Sequence, residues 1–185
     1  MVEKIRHDAR TRMDKGLEKL RTDLLAVRTG KATPAILEPV RVEYYGSTVP
    51  LAQVASVSAP QPRLLVIQPW DKAAAEPIVK AIQAANLGLN PSQDGELIRV
   101  PVPALTEERR HELVKRCRHL AEETRVAIRN VRRDANDELT RAQKEKTISE
   151  DDLHRAQKEI QKITDEEIEK VDQALTIKEK EILEG

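Results

Sequence analysis

Phenylalanine is absent, and only three side chains are aromatic: Tyr44, Tyr45 and Trp70. A core without large rings must come from Leu, Ile, Val and Ala, which suits long helices packed side by side. Cysteine is nearly absent. The single thiol, Cys117, excludes an intramolecular disulfide and fits a reducing cytosol; its place at an apolar helix position reads as core rather than nucleophile. No apolar run approaches the ~20 residues that span a bilayer. The N-terminal MVEKIRHDAR carries acids and no apolar stretch, unlike a signal or transit peptide. The expectation is a cytoplasmic protein with no membrane partner. Net charge is missing as well, with 32 Lys+Arg against 32 Asp+Glu, so bulk charge names no polyanion.

Catalytic patterns are equally scarce. No Gly-rich loop of the phosphate-cradling kind occurs. His7, His111, His119 and His154 are scattered on charged segments, none with a partner at metal-ligand spacing. Asp71 beside Trp70 reads as a helix cap before it reads as a site residue. The expectation is a protein that is not an enzyme and holds no metal or cofactor.

What the chain has is helix. Charged residues make up 35% of it, well above the usual quarter or so, as in long solvent-exposed helices. Ile5, Ala9, Met13, Leu17, Leu20, Leu24 and Val27 recur at coiled-coil-like spacing, with Gly16 the one weak point and Gly30 a stop signal. A second helix is expected from Thr106, capped by that Thr before two acids, with a seam through Leu113, Cys117, Leu120, Thr124, Ala127, Val131, Ala135, Leu139 and Ala142. A break is expected near Thr147–Ser149. Ser149 then caps a third helix with Leu153, Ala156, Ile160, Thr164, Ile168, Val171, Leu175 and Ile182 on its apolar side. Three amphipathic stripes bury one another as a long antiparallel three-helix bundle, residues 1–29 and 106–185.

Residues 30–105 must then leave and re-enter the bundle. They hold all ten prolines and all three aromatics. Val40–Tyr45 alternates into a turn at Gly46-Ser47, with Pro39 delaying its start; 54–58, 63–68 and 96–102 are further strand candidates, and a helix is expected over about 72–86. The fold class is α+β with two domains, the bundle carrying an inserted small β/α/β domain. The chain crosses between them at Thr29, Gly30, Lys31 and at Pro103, Ala104, Leu105, which we read as hinges of limited freedom.

Charge is unevenly spread. From Arg109 to Arg133 there are nine bases and three acids, whereas from Glu150 onward there are twelve acids and six bases. Arg118, Arg125, Arg129 and Arg132 fall on one side of the second helix, a stripe roughly 20 Å long. Two readings stand: a polyanion footprint, or ion pairs with the acidic third helix. Without aromatic platforms in the bundle, such a footprint suits the backbone and shape of folded RNA rather than stacked single strands. A coiled-coil scaffold is the alternative class. It accounts for the helices but for neither the insertion nor the Arg stretch.

The segments RTGKATPAILEPVRVEYYG (28–46), NLGLNP (86–91), LTEERR (105–110), RVAIRNVRRDANDE (125–138) and IQKITDEEIEK (160–170) occur in order along the chain. Together they resemble the bacterial ribosome recycling factor family. The resemblance implies an L-shaped monomer of a three-helix bundle and a hinged α+β domain. It also implies a non-enzymatic factor that, with elongation factor G and GTP, splits post-termination ribosomes into subunits. It points to Arg132 as critical for contact with large-subunit ribosomal RNA, with Arg129, Arg133, Arg125, Arg110 and Arg28 beside it. Lys31 and Thr33 depart from the family's usual Arg and Asn or Ser; lysine keeps the charge but loses the planar fork.

Overall fold

The computed structural model describes residues 1–185, which fall into two compact units: residues 1–29 with 107–184, and residues 30–106 with Gly185. In the first, α1 (Val2–Leu25), α3 (Glu107–Lys144) and α4 (Glu150–Glu184) pack along their lengths. At 38 residues, α3 is about 57 Å long. Every residue of the expected α1 stripe, from Ile5 to Leu24 and on to Val27, is buried.

The break between α3 and α4 uses local chemistry at both ends. Lys146 takes the left-handed conformation (φ 61°) that glycine usually supplies. The amides of Lys146 and Thr147 turn back to the carbonyls of Gln143 and Ala142, both at 2.9 Å. Ser149 Oγ then accepts from the Asp152 amide at 3.0 Å, and the Ser149 amide donates to Asp152 Oδ2 at 3.4 Å, closing a reciprocal cap. The short turn makes α3 and α4 antiparallel. Ion pairs Arg6–Glu159 and Arg10–Glu166 run α1 parallel to α4.

Two of the expected seams shift. On α3 the buried positions are Leu113, Val114, Cys117, Ala121, Thr124, Ile128, Val131, Ala135, Leu139 and Ala142. Leu120 is half-buried and Ala127 exposed; their neighbours Ala121 and Ile128 take the seam, because α1 and α4 together bury a wider arc than a two-helix contact. On α4, Ile168 and Leu175 are half-buried, while Ile163 and the charged Glu167 and Lys178 are inside.

The second unit is an antiparallel four-stranded sheet in the order β3 (Ala55–Gln61), β4 (Leu64–Pro69), β6 (Leu97–Pro101), β5 (Ser92–Asp94). Beside it lies a hairpin of β1 (Arg41–Tyr44) and β2 (Ser47–Pro50), whose turn puts both Tyr45 and Gly46 at positive φ. The expected helix is shorter: Asp71 Oδ1 accepts from the Ala73 amide at 3.0 Å and caps a 3₁₀ turn (Lys72–Ala74) that leads into α2 (Ala75–Ala84). β5 and β2 had no apolar alternation to announce them. Val40, Val42, Leu65, Ile67, Ile78, Ile98 and Val100 form a fully buried aliphatic core here.

Candidate RNA-facing surface

The arginine stretch of α3 resolves into two populations. Arg118, Arg125 and Arg132 each follow a buried seam residue and recur every seven positions, so they line the edge of α3 that faces α4. Arg118 Nε donates to Glu179 Oε1 at 2.8 Å. Seven residues along α3 and seven back along α4, Arg125 Nε and Nη2 donate to Asp172 Oδ1 at 2.9 and 2.6 Å. Arg125 Nη1 also donates to Glu122 Oε2 at 3.0 Å, and its side chain is 19% exposed. Burial works against the charge on Arg125, but the hydrogen bonds to Asp172 and Glu122 outweigh it and raise its pKa.

The same spacing sets Arg132 opposite Asp165. That carboxylate instead accepts from Gln161 Nε2 on its own helix at 2.8 Å. Arg132 is left half-buried in its stem and without an ion pair, and Arg133 is exposed and equally unpaired. Arg129 lies 3.5 Å from Glu122 Oε1, sharing that acid with Arg125, and its side chain is 43% exposed. Arg28 is exposed three residues past the end of α1. Arg110, near the start of α3, donates from Nη1 to the Leu183 carbonyl at 3.2 Å. The two sequence readings therefore divide the stripe: interhelical pairs hold Arg118 and Arg125, whereas Arg129, Arg132 and Arg133 present guanidinium groups with little or no internal demand on them.

Elsewhere the charged groups are structural. His111, His119 and His154 are exposed, each within 3.9 Å of the Glu one turn before or after it. No three His, Cys, Asp or Glu side chains come together in a way that would hold a metal ion. In the small unit, Tyr44 donates its hydroxyl to Asp71 Oδ2 at 2.7 Å. The acceptor carboxylate pushes the Tyr44 phenol up to about 12. Asp71 is held below the usual carboxylate range, first by the Ala73 amide and then by Tyr44. Sequence reading took Asp71 as a cap and missed its second partner, which lies 27 positions away. Burial raises the Cys117 thiol, in keeping with an inert core position.

The family model described as ribosome recycling factor matches residues 20–183. The chain belongs to the ribosome recycling factor family. Ribosome-recycling factors of Natranaerobius thermophilus and Carboxydothermus hydrogenoformans are each 54% identical to it, over 98% and 99% of both chains. A solution structure of a ribosome recycling factor covers 100% of the chain and is itself covered to 98%, with TM-score 0.75 and 41% identity. The T. thermophilus recycling factor, in models that place it with E. coli elongation factor G on the E. coli post-termination complex, aligns with TM-score 0.63 and 51% identity over 99% of each chain. The function is accordingly that of a ribosome recycling factor, a translation factor rather than an enzyme. No helix of this recycling factor is long and apolar enough to cross a membrane.

Proposed function

We propose that this chain acts as a monomer in the cytoplasm and, with elongation factor G and the GTP that factor hydrolyses, splits post-termination ribosomes into subunits and frees them from mRNA. It holds large-subunit ribosomal RNA through the basic face of α3, chiefly by Arg132, Arg129 and Arg133. Arg28, Arg110 and Arg125 extend that face. The observation that carries this reading is the unpaired state of Arg132 and Arg133 on a helix whose other flanking arginines are tied to α4. A guanidinium with no internal partner keeps its bidentate fork available for phosphate.

The relative seen with elongation factor G on the post-termination complex supports the choice of partners. Thr29, Gly30 and Lys31, with Pro103, Ala104 and Leu105, act as hinges between the two units. Gly30 supports this, because its φ of 83° suits glycine and few other residues.

The test is light scattering of purified post-termination ribosomes mixed with this protein, elongation factor G and GTP. Scattering falls only with all components present, and the fall is lost or slowed with Arg132→Ala. An unchanged rate for Arg132→Ala refutes the assigned RNA face. No fall at all, with the elongation factor shown active beside another recycling factor, refutes the pairing with that partner.

A further inference from the structure

Glu167 occupies a seam position of α4 and is 0% exposed, among Ile163, Thr164 and Val171. One of its oxygens, Oε1, accepts from Lys170 Nζ at 3.2 Å, and Lys170 leads out to solvent with its side chain 44% exposed. The other oxygen, Oε2, is buried and receives no donor. The charged group of α1 that bears on Glu167 is Asp14, an exposed residue, and it is a second carboxyl.

Two ionised carboxylates are acceptors only, so neither can satisfy the other. A buried acceptor left without a donor is destabilising, and a second ionised carboxylate beside it adds to the cost. A single proton between the two groups removes both penalties, because one carboxyl then donates to the other.

We propose that Asp14 and Glu167 share one proton across the α1–α4 contact, so that a carboxyl–carboxylate hydrogen bond pins α1 to α4 and the bundle loosens when that proton leaves. The charged groups bearing on Glu167 are few. Desolvation favours its protonated form most, Lys170 on α4 opposes this, and Asp14 on α1 adds to it. α3 brings no charged group to bear, and the nearby pairs Arg10–Glu166 and Arg12–Asp134 are closed on themselves.

Glu167 is thereby raised above the usual carboxylate range. A carboxyl raised in the folded state contributes its full share of stability below its unfolded pKa. That share falls away as pH rises through the folded value, the reverse of an ion-paired acid.

The experiment follows the Asp14 and Glu167 side-chain carbons by NMR through a pH titration of the whole wild-type protein. In parallel, urea unfolding of wild type and Glu167→Gln is compared from about pH 5 to about pH 9. The Gln amide donates to Asp14 as the protonated acid does, so the variant has no proton to lose. Glu167 titrates above the exposed glutamates, with a matching inflection at Asp14. The wild type loses unfolding midpoint relative to Glu167→Gln as pH rises, by up to about tenfold in the unfolding constant per pH unit across the titration. Parallel midpoints, or a Glu167 carbon titrating with the exposed glutamates, overturn the proposal. Should Glu167→Gln not fold, Asp14→Asn leaves Glu167 to titrate but offers its ionised form an amide donor, so the loss of stability with rising pH should shrink relative to wild type, and an unchanged loss overturns the pairing; the titration needs no variant.

Discussion

Replacing Arg125 and replacing Arg132 by alanine should damage this recycling factor in opposite ways, though the two residues are one heptad apart on the same edge of α3. Arg125 makes three hydrogen bonds to two carboxylates, and its side chain is 19% exposed. A hydrogen bond to a charged group is worth about 1.5–3 kcal/mol when shielded, and less toward solvent. Asp172 and Glu122 are over half exposed and re-solvate when the arginine goes, so the expected loss for Arg125→Ala is about 1–2 kcal/mol, part of it from the packed stem.

Arg132 has no ion pair to lose, and Arg132→Ala should stay within about 0.5 kcal/mol of wild type. Its loss is at the ribosome: one charged contact of about 1.5–3 kcal/mol corresponds to roughly 10- to 150-fold in affinity. Urea unfolding followed by helical circular dichroism gives the first quantity. Co-sedimentation with ribosomes at fixed salt gives the second. Equal destabilisation by the two variants, or wild-type ribosome affinity for Arg132→Ala, would show that the stripe is not divided as the ion pairs imply.

The α3 seam is tested by Ile128→Ala, which opens a void at a 1% exposed site and should cost about 2–5 kcal/mol in unfolding free energy, while Ala127→Ser next to it changes little. Gly16→Ala should stabilise α1 by roughly 0.4–1 kcal/mol, since Gly16 lies inside the helix and an added Cβ meets nothing within 4 Å; a lower melting temperature would contradict this. In Tyr44→Phe the small domain keeps the Ala73 amide, the main donor to Asp71, but loses the second donor that holds Asp71 below the usual range. A depressed carboxylate stabilises above its unfolded pKa and loses that contribution as pH falls through its folded value, so the wild-type advantage over Tyr44→Phe should be present at neutral pH and shrink in acid, read by urea unfolding of both proteins. Ribosome binding should weaken steeply with salt, and log affinity against log salt should flatten in an Arg132→Ala, Arg133→Ala double variant; identical slopes would mean these arginines touch no phosphate.

Local order alone determined much of this molecule. The α1 stripe could be read residue by residue because up to Leu24 only one apolar position per turn was available, and the buried set is the one its spacing demands. Ser149 with the acids after it announced the start of α4, because a cap is chemistry between residues three apart. Motif order carried the family.

Tertiary structure decided what depended on a partner. Where α3 offers two adjacent apolar residues, as at Leu120/Ala121 and Ala127/Ile128, period alone cannot choose between them; the choice came from α1 and α4 closing on the helix from two sides. Hydropathy hid Glu167 and Lys178 from the α4 seam, since nothing local says that a charge will be enclosed. The arginines of α3 look alike in sequence. Arg118 and Arg125 became structural only because the antiparallel register of α4 sets Glu179 and Asp172 against them, whereas Arg132 forms no ion pair and Asp165, opposite it by the same register, accepts from Gln161. Such pairings join residues dozens of positions apart, and only the packed bundle brings them within hydrogen-bond reach.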